Sequence, residues 1–86
     1  MSSVNFPNPL NSEQISFMLE MLGRPDAHDG QTFLFSSQSI SNANRLANVV
    51  QQPVAVELHA EGEIKTMADG TQYRVTRSGW RKVSNG

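Results

Sequence analysis

Residues 54–83, VAVELHAEGEIKTMADGTQYRVTRSGWRKV, decide the fold that this sequence predicts. From Val54 to Thr66 every even position is apolar or small, whereas the odd positions from Glu57 onward are polar. Because side chains alternate across a strand, this pattern predicts an extended segment with one apolar and one polar face. Asp69-Gly70 favours a type I′ turn, whose twist matches that of paired strands. The stretch therefore predicts one long β-hairpin with a two-residue loop at Asp69-Gly70.

That loop also predicts the register of the hairpin. A two-residue connection places Thr66 opposite Tyr73 and Ile64 opposite Val75. These four side chains then share the apolar face, so the turn and the alternation agree.

The alternation fails near Ser78-Gly79, which leaves two interpretations of Trp80. A bulge at Gly79 returns Trp80 to the apolar face, where the ring closes the core. Without that bulge, Trp80 lies on the surface as an anchor for a partner protein.

Two helices and one further strand precede the hairpin. Asn11 is a good N-cap and Gln14 lies at the position from which a side chain reaches back to the cap, so we predict a helix over 12–22 that ends at Gly23. The apolar run 31–35 (QTFLF) predicts a buried strand. The next segment, 36–52, predicts a second helix with a serine cap. Its apolar side chains share a face that we expect to pack onto the sheet and that contains Ile40, Ala43, Leu46, Ala47 and Val50.

These elements predict a single α+β domain over residues 1–86, in the order α-β-α-β-β. Two helices cover one face of an approximately three-stranded sheet that the long hairpin dominates. The strand at 31–35, the second helix and the strand beginning at Val54 form a right-handed βαβ unit. Pro7 and Pro9 predict that residues 1–10 form an irregular N-terminal arm rather than a central strand.

Composition excludes several classes of function. The chain has no cysteine, so neither disulfides nor thiolate chemistry are available. Its net charge is −1, which argues against general polyanion binding, although residues 70–86 carry four bases and no acid. No segment is apolar enough for a membrane span or a signal peptide, so we expect a cytoplasmic protein.

The nearest approach to catalytic chemistry is the segment Asp26-Ala27-His28-Asp29. An imidazole beside carboxylates can bind a metal ion or transfer protons. However, His59 lies on the polar face of the predicted hairpin, and the sequence contains no recognised nucleotide-binding, hydrolase or metalloprotease motif. We therefore expect a solvated loop and no enzyme, cofactor or metal, and we retain an enzyme or small-molecule binder using Asp26 and His28 as the second alternative.

The C-terminal strand predicts a possible nucleic-acid interface. Its bases, Arg74, Arg77, Arg81 and Lys82, are interleaved with Tyr73 and Trp80, and cations beside rings suit phosphates and bases. The predicted hairpin, however, places the acidic strand alongside, so that Glu57, Glu61 and Glu63 pair with these bases in a ladder. We favour this ladder and keep nucleic-acid binding as the first alternative.

The remaining candidate is a surface for another protein. More than half of the second helix is Ser, Asn or Gln, and such uncharged side chains are cheaper to desolvate than charged ones. We therefore predict a small, self-associating, non-enzymatic protein-binding module. Small size without cysteine or a catalytic motif is the general character of phage and mobile-element accessory proteins, which often inhibit a host protein by binding it. The predicted contact residues are Trp80, Tyr73, Arg77, Arg81, Asn44, Arg45 and Asn48.

Overall fold

Within residues 1–36 and 40–83, which the computed structural model describes, the chain forms two helices and seven strands. The strands are β1 (Ser2–Asn5), β2 (Ala27–His28), β3 (Thr32–Phe35), β4 (Ala55–Leu58), β5 (Ile64–Thr66), β6 (Gln72–Thr76) and β7 (Gly79–Lys82). The helices are α1 (Ser12–Leu22) and α2 (Ile40–Val50). The α+β class is confirmed, but the strands form two antiparallel sheets rather than one three-stranded sheet.

Helix α1 has the predicted bounds because its signals are local. The Asn11 side chain accepts the Gln14 N–H at 2.8 Å, and the Gln14 side chain accepts the Asn11 N–H at 3.0 Å. This reciprocal pair satisfies two donors that a helix start leaves free. Gly23, at φ 82°, ends the helix. Met18 points into the core and is fully buried.

The four-stranded sheet has the order β2-β3-β1-β4, and each neighbouring pair is antiparallel. Strands β3 and β4 are therefore parallel to each other and are joined through α2, but β1 lies between them. The prediction of an irregular arm over 1–10 is wrong here, because Pro7 and Pro9 follow β1 and leave its N–H groups free to pair on both sides.

The three-stranded sheet has the order β5-β6-β7, and the prediction of one long hairpin over 54–83 is wrong. Its first part, β4, pairs with β1 instead. The β5–β6 loop contains three residues: the Met67 N–H bonds to Thr71 O at 2.8 Å, and the Gly70 N–H bonds to Met67 O at 3.0 Å. Gly70 has φ 88°, but Asp69 does not take the positive φ that a type I′ turn requires.

The longer loop moves the register by one residue. Ile64 lies opposite Arg74 and Thr66 opposite Gln72, so the predicted pairing of Ile64 with Val75 is wrong. A one-residue shift exchanges the two faces of a strand, which places Ile64 on the exposed face.

A second turn follows at residues 77–78. Gly79, at φ 116°, begins β7, so it starts a new strand rather than forming a bulge in a long one. This reversal places Trp80 opposite Val75. Trp80 is 4% exposed, which confirms its core placement by a different route from the one predicted.

The four-stranded sheet is the middle of three layers. One of its faces packs against both helices in a core that contains Val4, Phe6, Leu10, Met18, Phe33, Phe35, Leu46 and Val50. The other face packs against the three-stranded sheet through Leu34, Met67, Val75 and Trp80. Strand β3 supplies side chains to both cores, since successive residues point to opposite faces.

Helix α2 buries Ala43, Leu46 and Val50, as its pattern predicted. Ile40 is 63% exposed, so its predicted core position is wrong. The predicted serine cap falls mainly on residues 37–39, which lie outside the described parts of the chain.

Candidate functional surfaces

Asp26, which the second alternative places in an enzyme or small-molecule site, connects the two sheets. Its Oδ2 accepts the Trp80 backbone N–H at 2.8 Å, while its own N–H donates to Leu34 O at 2.7 Å. The fit is close, because a Cβ added to Gly79 would lie 2.6 Å from Asp26 Oδ2. The Trp80 ring continues the link by donating from Nε1 to Phe35 O at 3.2 Å. Asp26 is therefore held by structural contacts.

Asp29 makes a second connection between the sheets. Its Oδ1 accepts the N–H groups of Gln31 at 2.9 Å and Thr32 at 2.6 Å, and its Oδ2 accepts that of Ala68, in the β5–β6 loop, at 3.0 Å. Burial by itself raises the pKa of Asp29, but the backbone donors of Thr32, Ala68 and Gln31 outweigh it and lower the pKa. The carboxylate is thus held ionised as an acceptor for backbone amides.

The histidines do not complete a catalytic group with these acids. The His28 ring is exposed and stacks on Phe33 at 5.4 Å, whereas His59 contacts Trp80 at 5.0 Å. Within the described residues, no three His, Asp or Glu side chains are placed together so that they could hold a metal ion.

His59 lies between two carboxylates. Its Nδ1 is 2.9 Å from Glu63 Oε2 and its Nε2 is 3.2 Å from Glu57 Oε2, to which Lys65 Nζ also bonds at 3.1 Å. The Lys65 hydrogen bond lowers the pKa of Glu57. Burial acts against this shift, and the charges of Lys65 and His59 support it. Two of the three acids assigned to the predicted ladder are therefore paired elsewhere.

The basic strand is consequently less neutralised than predicted. Arg77 lies 3.8 Å from Glu61, with both side chains exposed. Arg74 and Arg81 are directly opposite each other on the open face of the three-stranded sheet, and neither has a carboxylate within 4.0 Å among the described residues. Arg81 donates to Ser78 Oγ at 3.2 Å.

The predicted nucleic-acid residues do not all share this face. Lys82 lies opposite Tyr73, which places both on the inner face of the sheet rather than beside Arg74 and Arg81. Trp80 is also on the inner face. The aromatic rings predicted to stack on bases are thus directed away from the arginine pair.

The residues predicted for protein binding occupy different layers. Asn44, Arg45 and Asn48 are exposed on α2, while Tyr73, Trp80 and Arg81 belong to the three-stranded sheet across the middle layer. Arg77 lies in the turn between β6 and β7. They do not form one surface. Trp80 lies in the core, so its alternative role as an exposed anchor is not supported.

A groove between the two helices was not predicted. It is lined by Glu13, Gln14, Phe17, Val49, Val50 and Gln51. Phe17 is 43% exposed and Val49 is 38% exposed, so two large apolar side chains that line the groove contact solvent. The signal was present but weak: Phe17 lies at the margin of the apolar stripe of α1, and Val49 is one residue from buried Val50.

No protein-family model, curated protein or solved structure matches the chain. In the described residues, neither helix has the length and apolar character needed to cross a membrane. The chemistry of these surfaces is therefore the basis for assigning a function.

Proposed function

We propose that this chain is a small non-enzymatic module that binds another protein through the groove between α1 and α2. The observation that carries the proposal is the exposure of Phe17 and Val49 on the same groove. Apolar surface left in water favours association, and a concave apolar floor accepts an apolar anchor from a partner.

The rim of the groove supports a protein partner. Gln14 and Gln51 are the uncharged polar residues among those that line the groove. Protein interfaces combine an apolar centre with polar surroundings and few charges at the centre. Glu13 is the charged residue among those lining the groove, so the proposed partner presents an apolar anchor with a basic side chain beside it.

The test is purification of bound proteins from the native host on three immobilised forms of the chain. The forms are wild type, the double variant Phe17→Asp with Val49→Asp, and the control Ile40→Asp, which changes an exposed apolar residue of α2 outside the groove. We expect a partner that is retained by wild type and control and lost by the double variant. A retained protein that the double variant binds equally well would contradict the proposal. Circular dichroism of all three forms establishes that they are folded.

One observation favours nucleic-acid binding as a second candidate. Arg74 and Arg81 face each other without a carboxylate partner in the described residues, and like charges at opposite positions of a sheet are unfavourable. A phosphate between them would remove that repulsion. Because none of the residues that the structure describes presents a ring on that face, the contact would be to the nucleic-acid backbone and largely independent of sequence.

Fluorescence anisotropy with a mixed-sequence single-stranded oligonucleotide over a salt series distinguishes the two candidates. Submicromolar binding that weakens with salt and is lost in Arg74→Ala with Arg81→Ala would support the second candidate. The matched control is Arg24→Ala with Arg45→Ala, which removes the same charge from other surfaces. If binding is weak at low salt, or falls equally in both double variants, nucleic-acid binding by this face is excluded.

A further inference from the structure

We propose that β4 pairs with β4 of a second copy of this chain, so that two four-stranded sheets join across a two-fold axis. This self-association surface differs from the helix groove and does not depend on the function proposed for it.

The backbone of β4 is free to pair along one side. The His59 N–H bonds to Met1 O at 3.0 Å, and β4 continues from there in antiparallel register with β1. Hydrogen-bonded positions alternate in such a ladder, so Glu57 and Ala55 are directed toward β1. The N–H and C=O groups of Val56 and Leu58 are therefore directed toward the open edge of the sheet.

The side chains along β4 also favour association. Val54, Val56 and Leu58 share the face of the sheet that packs against the helices, and none of them is charged. Leu58 is 72% exposed, although it is a large apolar residue. At the other end of the strand, an apolar groove is lined by Asn5, Phe6, Pro7, Pro53, Val54 and Ala55.

Symmetry selects a second copy as the occupant. In an antiparallel pairing centred on Val56, each Val56 faces its equivalent and Leu58 of each copy faces Val54 of the other. The exposed leucine is then covered beside the partner's apolar groove. Pairing centred on Glu57 would instead oppose two carboxylates, which is unfavourable. On the face that packs against the helices, the single strand thus supplies both halves of an apolar contact, while Glu57 of each copy lies opposite Ala55 of the other.

The other sheet edges are protected against the same event. Isolated sheet edges in stable monomers are usually short or carry charged residues. Strand β2 has two residues, β5 carries Lys65, and β7 carries Arg81 and Lys82. The outward Trp80 N–H of β7 is already bonded to Asp26. Strand β4 carries one charged residue, Glu57, but its side chain points to the opposite face from Val56 and Leu58 and is already bonded to Lys65 and His59.

Sedimentation velocity over a hundredfold concentration range tests the proposal. We expect the wild-type mass to rise from monomer toward dimer. Leu58→Lys adds a charge to the edge, and Leu58→Pro removes an outward N–H while leaving the β1 ladder intact, so both variants should remain monomeric. The matched control, Ile64→Lys, changes an exposed apolar residue of β5 and should dimerise as wild type does.

The register is tested by Val56→Cys, because the natural chain has no cysteine. Opposed residues in a paired ladder lie within the distance that a disulfide spans, so mild oxidation should produce a covalent dimer. A constant wild-type monomer mass would overturn the proposal, as would dimers of unchanged strength in both Leu58 variants. Loss of the dimer in Phe17→Asp but not in Leu58→Lys would assign self-association to the helix groove instead.

Discussion

The connection that Asp29 makes between the two sheets predicts a measurable loss of stability when its carboxylate is removed. Hydrogen bonds to charged acceptors contribute about 1.5–3 kcal/mol each. Because solvent screens this half-buried carboxylate, we take about 1 kcal/mol for each of its bonds. Asp29→Ala removes the acceptor of three N–H groups and should cost about 3 kcal/mol. Asp29→Asn keeps an oxygen at the Oδ1 position but replaces Oδ2 with an NH2 group, which cannot accept the Ala68 N–H. We therefore expect this substitution to cost about 1 kcal/mol.

Urea denaturation measures these costs. With a slope of about 1 kcal/mol per molar for so small a domain, each kcal/mol lowers the midpoint by about 1 M. Glu20→Gln, which changes an exposed carboxylate of α1, is the control and should leave the midpoint unchanged.

A double-mutant cycle isolates the contact between the sheets. Ala68 occupies the first central position of the turn closed by Gly70 N–H and Met67 O, a position at which proline is favoured. Ala68→Pro therefore removes the N–H that Asp29 accepts without disturbing the turn. In this background, Asp29→Asn should cost close to nothing. An equal cost in both backgrounds would refute the role assigned to the Asp29–Ala68 bond.

Denaturation also tests three further predictions. Gly79→Ala should be more destabilising than Gly70→Ala, because both positions have positive φ but only Gly79 would bring a Cβ against Asp26; equal midpoints would contradict the close packing at Gly79. The unfolding free energy should decline as the pH falls below about 4.5, because carboxylates with lowered pKa stabilise the fold above their unfolded pKa and lose that contribution as they are protonated in the folded state. Asp29→Asn should make this decline shallower, and an identical pH profile would exclude Asp29 as a source. Phe17→Asp should change the free energy of unfolding by less than about 1 kcal/mol, since its exposed side chain contributes little to the core; a large loss would show that Phe17 is structural.

The parts of the fold that were predictable from the sequence are those fixed by neighbouring residues. Asn11 and Gln14 define the start of α1 within one turn, and the run 31–35 contains β3. The predicted register of the hairpin was wrong because Asp69-Gly70 is compatible with both a two-residue and a three-residue loop. The conformation of Asp69 distinguishes the two loops, and the sequence does not determine it. Strand β1 was not predicted because the prediction of an irregular arm extends the effect of Pro7 and Pro9 to all of residues 1–10. The two prolines exclude regular pairing only after β1, which ends at Asn5.

The contacts of the candidate sites were not predictable from local pattern. Asp26 and Asp29 have the composition of a reactive loop, but they bond to Trp80 and Ala68, which lie 54 and 39 residues away in the sequence. The helix groove also depends on how α1 packs against α2. Exposed Phe17 and Val49 cannot be distinguished from core residues until that packing is known.

Photo-crosslinking from position 17 in the native host tests most directly the claim that the helix groove binds another protein. A benzophenone side chain replaces Phe17 of α1 in one form. In the control it replaces Ile64, which lies on the three-stranded sheet. We predict a defined protein adduct from position 17 that is absent from position 64 and is lost when Val49→Asp is added. Adducts that are the same from both positions, or an adduct at position 17 that Val49→Asp leaves unchanged, would contradict the claim.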